Sequence, residues 1–353
     1  MSALRLLLLP ISWLYALVLR LRHAAFDNGW LTSSTVPVPT IVVGNVALGG
    51  TGKTPHVELV LDLLADLGPL ATLSRGYGRD GSTSREVHRE DDAAMVGDEP
   101  LMLKRKHPPV RVFVGADRVQ GIEAIMYAAP EVRAVILDDA FQHRKLKAGM
   151  NIVLTTWQRP WFKDHLLPAG SLRDLPGRAR IATVVVVTKC PALPSAEEQH
   201  RWRERLKLLP EQRLFFSGLR YTPPRSLHDP SFNVPVGENA SAFLVTGIAD
   251  ATPLAAHVRS VFGTAQHMAF PDHHRFTEAD QLRIASRFAT FAGPRKTLIT
   301  TEKDAARLGP ALISGPMEDL PIAVIGVKAE ILNDHQAFAA ILRNHVATHP
   351  THR

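Results

Sequence analysis

The chain carries one cysteine, Cys190, in 353 residues, so no internal disulfide can form. Its stability must rest on an apolar core, and a reducing, cytosolic compartment is the natural setting. A lone cysteine also leaves no C-x-x-C framework, which argues against structural zinc. The sequence holds no internal repeat and no low-complexity tract, which sets aside solenoids and disordered arrays. There is no dense Lys/Arg run and no signature of an RNA- or DNA-binding module. Nucleic acid is therefore the weakest partner for a chain whose net charge is +7, from 41 basic and 34 acidic residues. The positive excess favours another anion, a phosphate or an acidic lipid.

What is present is enough hydrophobic sequence, 45% against 21% charged, to bury a core across about two domains. The stretch that organises the chain is residues 42–67, VVGNVALGGTGKTPHVELVLDLLADL. An apolar β-branched run, Ile41 to Val43, predicts a buried strand. A glycine-rich turn follows, and then a helix with Val57, Val60, Leu61 and Leu64 on one face. Strand, glycine loop, Lys-Thr and helix is the layout of a P-loop. Gly49, Gly50, Thr51 and Gly52 let the backbone aim several N–H groups at one phosphate, and the helix N-terminus adds its positive end. Lys53 can bridge the β- and γ-phosphates, and the Thr54 hydroxyl can ligate magnesium. The strict pattern G-x-x-x-x-G-K-[ST] wants glycine at position 47, where this chain has Ala47. A Cβ is tolerable there if the local φ is negative.

Beyond the P-loop the strands alternate with helices, which predicts a doubly wound, mostly parallel α/β sheet. Residues 132–137 form an apolar strand ending in Asp138-Asp139, the Walker B arrangement, in which a carboxylate meets magnesium at a strand's C-terminal edge. Guanine readout commonly uses N-K-x-D, and the comparable place reads Thr188-Lys189-Cys190-Pro191, so ATP is preferred over GTP. Candidate bases for phosphoryl transfer are Asp98, Glu99, Asp139, His143, His273 and His274. Thr277 with Asp280 predicts a capping pair for the helix after the two histidines. Residues 3–19 are nearly all apolar, are followed at once by Arg20 and Arg22, and lack a downstream A-x-A cleavage site. They predict a membrane-associated helix with Trp13 and Tyr15 at the interface; spanning and lying flat both remain open. The division that follows is a membrane-associated helix in 1–30, a P-loop NTPase-like kinase core in 31–221, a proline-rich connection in 222–237, a smaller C-terminal α/β lobe in 238–347 and a tail in 348–353.

Several motifs together carry a family resemblance. They are LLLPISWLY, VGNVALGGTGKTP, SRGYGR, VGDEP, ILDDAFQHR, LLPAGSLRD, VTGIAD, FPDHHRF and TTEKDAARL, in this order along nearly the whole chain. The chain resembles the tetraacyldisaccharide 4'-kinases, inner-membrane lipid A kinases of Gram-negative bacteria. The resemblance implies ATP and Mg2+ as cofactors and transfer of the γ-phosphate to the 4'-hydroxyl of a tetraacylated glucosamine disaccharide 1-phosphate, an anionic lipid, at the cytoplasmic face of the inner membrane. It implies that Lys53 and Thr54 serve the phosphates and magnesium with Asp138 and Asp139 beside them, and that Asp98 and His273 activate the hydroxyl. Arg75, Gln142, His143 and Arg173 become headgroup or phosphate contacts. One departure bears on the site: the family usually has Arg-Glu-Pro where this chain has Arg173-Asp174-Leu175-Pro176. The rival readings are a soluble small-molecule kinase and a P-loop ATPase switch that transfers phosphate only to water.

Overall fold

The apolar run at residues 40–45 is buried at every position, as expected of a central strand covered on both faces. The computed structural model describes residues 7–349 apart from Asp80, Ser82, His228, Pro230, Ile313 and Ser314. The first six residues of the N-terminal segment and residues 350–353 of the expected tail lie outside the described residues.

The strands are β1 Thr40–Asn45, β2 Leu70–Ser74, β3 Arg85–Glu86, β4 Arg111–Val114, β5 Ala134–Asp138, β6 Met150–Thr156, β7 Val184–Thr188, β8 Arg213–Tyr221, β9 Arg225–Ser226, β10 Gly237–Thr246, β11 Phe262–Ala269, β12 Lys296–Thr301, β13 Ile322–Ile325 and β14 Val327–Ile331. Nine form a large sheet in the order β14-β8-β7-β6-β1-β5-β2-β4-β3, and five form a small one in the order β11-β10-β12-β13-β9. The large sheet is parallel from β8 to β4, with an antiparallel strand at each edge. Val42 of β1 lies beside Leu137 of β5 and Asn151 of β6, so the P-loop strand and the strand ending in Asp138 are neighbours.

Alternation along the strands builds a core on each face of the large sheet. Ile41, Val43, Val184 and Val186 point to the side packed by the helix Lys53–Leu64. Val42, Val185 and Val187 point to the other, with Ile125, Leu146 and Trp161. The small sheet repeats the device, Phe243 and Val245 facing one core and Ala242 and Leu244 the other.

The strand-like run at 322–331 is cut at Gly326. Its first part stays in the small sheet, and β14 pairs antiparallel with β8 in the large one. Phe338 and Leu342 of the helix His335–Thr348 join Ile331 in the core of the large sheet. Residues 327–348 therefore pack with the P-loop core, and the lobe expected over 238–347 ends short of its predicted boundary. The crossing at Gly326 is tied to the outgoing one at Thr222, whose N–H donates to the Gly326 carbonyl at 3.0 Å while the Gly326 N–H donates to its hydroxyl at 3.0 Å. Two chain crossings lashed together form a natural hinge. The connection expected over 222–237 also holds β9, which pairs with β13.

The N-terminal helix Leu9–Asp27 buries Ser12, Ala16, Leu19 and His23 and turns its apolar side chains outward. Trp13, Leu14 and Leu21 are each more than 60% exposed. Among the described residues no helix is long and apolar enough to cross a membrane.

Candidate active site

The phosphate loop leaves β1 at Asn45 and enters the helix at Lys53. Gly52 caps that helix at φ +82°, a conformation that a side chain resists. Ala47 is not among the residues at positive φ, so its Cβ is accommodated. The loop is braced from three sides. The Asn45 amide donates to the Thr51 hydroxyl at 2.7 Å, and the Thr188 hydroxyl to the Thr51 carbonyl at 2.8 Å. His56, one turn into the helix, is buried and lies 2.7 Å from the Gly52 carbonyl through Nδ1 and 2.8 Å from the Ser217 hydroxyl through Nε2. A carbonyl can only accept, so Nδ1 carries the proton and Nε2 accepts from Ser217. Burial pushes the His56 imidazole down to about 4, so it is neutral at ordinary pH. The third brace is the segment before Asp174. The Leu48 N–H donates to the Ser171 carbonyl, and the Arg173 and Asp174 N–H groups both donate to the Val46 carbonyl.

The two carboxylates at the end of β5 have different environments. Asp139 meets Arg173 through two guanidinium nitrogens and stands 3.7 Å from Lys53 Nζ. Burial opposes its ionisation, but the Arg173 hydrogen bonds and the Lys53 charge outweigh burial and hold the carboxyl below the usual range. Asp138 is buried, and its Oδ1 has no hydrogen-bond partner. Burial first, and then the Glu99 charge, push it up to about 7. A buried carboxylate oxygen with no protein partner, in the field of the P-loop lysine, is complementary to a cation. Among the described residues no cluster of three His, Cys, Asp or Glu side chains could hold a metal alone. Magnesium takes one or two carboxylates plus phosphate oxygens and water, and Asp138 with Thr54 are the residues that would hold it.

Across the cleft, two helices face each other with matched charges. Asp98–Lys106 belongs to the large lobe and Glu302–Leu308 to the small one. Asp98 pairs with Arg307, Glu99 with Lys303, and Lys106 with Glu302 at 2.8 Å. Gly97 lets the first helix start against the SRGYG turn; at its φ of +92° a Cβ would sit 3.3 Å from Gly76 Cα. The Arg307 guanidinium is nearly buried. Its Nε donates to Asp98 Oδ2 at 2.8 Å, and its Nη1 to the Gly247 carbonyl at 2.6 Å and to Asp304 at 3.0 Å. His273, at φ +56°, brings Nδ1 to 3.3 Å from Asp98 Oδ2. Burial disfavours the Asp98 charge, yet Arg307 and Lys303 outweigh it and hold the carboxyl below its ordinary range. Between the lobes lies a cavity of about 490 Å³, lined by residues 50–55 on one side and by Ile248, Leu254, Lys303 and Ile325 on the other. Glu99 and Met102 also border it. Cys190 lines it too, but burial pushes its thiol up to about 12, so it is no nucleophile.

The profile of the tetraacyldisaccharide-1-P 4'-kinase family, LpxK, matches residues 4–347. The chain belongs to this family. It is a kinase of lipid A biosynthesis, with that family's α/β architecture. It is similar to the tetraacyldisaccharide 4'-kinase of Bacteroides thetaiotaomicron, 37% identical over 345 residues that cover 93% of this chain and 90% of the relative. That of Flavobacterium johnsoniae is 37% identical over 338 residues, 96% of each chain. The crystal structure of the "apo" form of LpxK from Aquifex aeolicus in complex with ATP matches with a TM-score of 0.73 at 25% identity, over 97% of this chain and 99% of that one.

Within the family frame, the residues singled out from sequence separate by environment. Asp98 and His273 are brought together, and Lys53 faces Asp139. Arg173 reaches Asp139 and donates to Asn45 Oδ1 at 2.6 Å. Arg75 is exposed after β2. Gln142 and His143 are engaged inward: the Gln142 amide donates to the Asn45 carbonyl at 2.8 Å, and His143 Nε2 accepts from the Arg118 N–H at 3.3 Å. His274 is a packing residue, stacked on Phe270 and 2.9 Å from Asp280, whose capping box with Thr277 is formed as expected. Asp174 is buried and accepts from His23 Nε2 at 2.7 Å. Sequence reasoning passed over Arg307 and Lys303. Their signal was the charged run Glu302-Lys303-Asp304 directly after a strand, the mirror of Asp98-Glu99 at the start of the facing helix.

Proposed function

We propose that phosphoryl transfer runs in the cleft between the lobes, from ATP on residues 49–54 to a sugar 4'-hydroxyl presented at Asp98 and His273. The acceptor is a tetraacylated glucosamine disaccharide 1-phosphate lying in a membrane surface. The observation that carries this reading is the pairing of Asp98 with His273 from opposite lobes, next in sequence to Glu99, which borders the same cavity as Lys53 and Thr54. Lys53 and the loop N–H groups neutralise the β- and γ-phosphates. Thr54 and Asp138 would hold magnesium, which shields phosphate charge when bound. Asp139, occupied by Arg173 and Lys53, keeps those cations aimed at the phosphates rather than taking the metal itself.

A hydroxyl attacking the γ-phosphorus must shed its proton. His273 is 41% exposed where Asp98 is 8% exposed, so the imidazole is the group that an acceptor can reach. Arg307 Nη2, 3.1 Å from His273 Nδ1, fixes the ring, and the Asp98 charge 3.3 Å from the same nitrogen stabilises the imidazolium that forms. Arg307 keeps Asp98 ionised and fixed. The Thr222–Gly326 hinge lets the lobes part for the substrate to enter and close to complete this set.

The outward face of the N-terminal helix supports membrane docking. Trp13, Leu14, Leu17, Val18 and Leu21 are exposed together. An isolated apolar helix face on a soluble domain marks an interaction surface. Arg20 flanks it and would contribute roughly 1 kcal/mol near anionic lipid. The reading is of an enzyme docked peripherally at the cytoplasmic face of the inner membrane.

The test is incubation of the purified protein with labelled ATP and the tetraacyl disaccharide 1-phosphate in detergent, with the product identified by mass. Wild type should give the 4'-phosphorylated lipid, and Lys53→Ala should turn over about 10²-fold more slowly. ATP hydrolysis at the same rate with and without acceptor would instead support the ATPase reading.

A further inference from the structure

The buried side of the N-terminal helix carries Ser12 and His23 beside Ala16 and Leu19, and several of the helix's polar contacts lead toward the phosphate loop. The Ser12 hydroxyl donates to the Leu166 carbonyl at 3.0 Å and accepts from the Ala169 N–H at 3.1 Å. The Tyr15 hydroxyl donates to the Arg173 carbonyl at 2.9 Å. His23 Nε2 lies 2.7 Å from Asp174 Oδ1, both side chains almost wholly buried. The other ring nitrogen, Nδ1, faces Arg144 Nη1 at 3.3 Å. A guanidinium can only donate, so Nδ1 accepts and Nε2 carries the proton that goes to Asp174. Arg22 donates to the Gln142 carbonyl at 3.1 Å.

The segment these groups grip, residues 166–174, forms the backbone brace of the phosphate loop. Ser171, Arg173 and Asp174 exchange main-chain hydrogen bonds with Val46 and Leu48, and Ala47 bridges Leu172. The Arg173 side chain then reaches Asn45 and Asp139. Gln142, gripped by Arg22, donates to the Asn45 carbonyl. Helix, strap and phosphate loop are thus three layers joined by hydrogen bonds, with one strap between the apolar outer face and Lys53.

We infer that the N-terminal helix is a positioning element of the phosphoryl-transfer site, acting through His23 and Tyr15 on the 166–174 strap. The inference rests on the active-site reading above. In this arrangement the helix that meets the lipid also sets the register of Arg173, Asp139 and the P-loop. His23 and Tyr15 are positioning residues: they touch neither nucleotide nor acceptor. A small displacement of a loop that carries transferring groups lowers turnover steeply, while affinity for substrate held elsewhere changes little.

The full-length protein is assayed with ATP and the tetraacyl disaccharide in detergent micelles, and its binding to vesicles of anionic phospholipid is measured in parallel. His23→Ala should lower kcat about tenfold, leaving the acceptor KM and vesicle partitioning within about twofold. His23→Gln, whose amide N–H can reach Asp174, should recover most of the loss. In an Arg173→Ala background, His23→Ala should cost much less than it does alone, since both act through one strap. Should His23→Ala fail to fold, Tyr15→Phe, which removes a single hydroxyl, should still lower kcat severalfold. A kcat within twofold of wild type in Tyr15→Phe and in whichever His23 variant folds would overturn the inference, as would equal fractional losses with and without Arg173. So would a defect confined to vesicle binding and KM, which would make the helix an anchor only. A wild-type enzyme that phosphorylates no lipid would instead remove the functional reading on which the inference rests.

Discussion

The helices Leu9–Asp27 and Lys53–Leu64 bury opposite things. The second packs Val57, Val60, Leu61 and Leu64 into the core and leaves Asp62 in water. The first packs Ser12, Ala16, Leu19 and His23 inward and leaves Trp13, Leu14, Leu17 and Leu21 outside. Both are apolar in sequence, so hydrophobic content alone does not say which face is the inside. What distinguishes them is the buried histidine that each carries. His56 ties the P-loop helix to Gly52 and Ser217, and His23 ties the outer helix to Asp174. One helix is held by the hydrophobic effect and refined by a histidine. The other is held by polar contacts and keeps its apolar surface for a partner. The phosphate loop sits between them.

The largest effects should come from the acceptor side of the site, which neither helix carries. Asp98→Ala and His273→Ala should each lower kcat by about 10²–10⁴-fold, the range for a positioned acid–base group. ATP affinity should change little. The double variant should be little worse than the worse single variant, because the pair acts as a unit. His274→Ala should be milder, since His274 braces Asp280 and stacks on Phe270. Steady-state kinetics on the four variants settle it: an inactive His274→Ala beside a near-normal His273→Ala would move the base by one residue.

A second pair of variants breaks the helix comparison directly. Leu61→Ala opens a cavity in the core against Ile41 and Val43 and should cost about 2–5 kcal/mol of stability. Leu14→Ala removes a similar side chain from an exposed position and should change stability by less than about 0.5 kcal/mol. Its effect should appear in vesicle binding, weakened by roughly 1–2 kcal/mol. Denaturant titration and vesicle sedimentation give the two readouts. Equal destabilisation by both variants would mean that the outer face is packed in solution.

Much of this molecule is legible in its sequence because the signals are local. The runs at 41–43, 134–137 and 184–187 are apolar and β-branched, and the structure makes them central strands. Thr277 and Asp280 sit three apart and form their capping box. The P-loop is a contiguous motif. The unreadable parts depend on long-range geometry. Arg307 acts on Asp98 across 209 positions, and nothing near either residue announces the other. The break at Gly326 is invisible because residues 322–331 are strand-like throughout; only the two sheets decide where each half pairs. The strand β8 mixes Phe215 and Phe216 with Ser217 and Gly218 and gives a weak pattern, although Ser217 supplies the His56 contact. The polar side of the N-terminal helix was likewise hidden, because Ser12 and His23 read as interruptions of an apolar run rather than as its anchor points.

The narrowest comparison is a difference in acid sensitivity between the two histidines. His56 is 2% exposed, and burial lowers it from its ordinary 6.5 to about 4. In the unfolded chain it gains a proton as pH falls through 6.5, while the folded chain resists until about 4. The unfolded state therefore binds more protons across that window, and folding stability falls as pH is lowered from 6.5 to 4. The drop corresponds to about 3 kcal/mol. His23 is also lowered, chiefly by burial, but the Asp174 hydrogen bond and charge pull it back up. Its loss of stability runs in the same direction and should be smaller. Thermal melts of His56→Gln and His23→Gln between pH 7 and 4.5 compare the two. The variants are judged by slope rather than by melting temperature, because each also loses hydrogen bonds at every pH. His56→Gln should flatten the acid limb clearly, and His23→Gln only slightly. The reverse order would mean that the Asp174 contact does not offset burial, and that His23, not His56, is the more costly histidine to protonate in the fold.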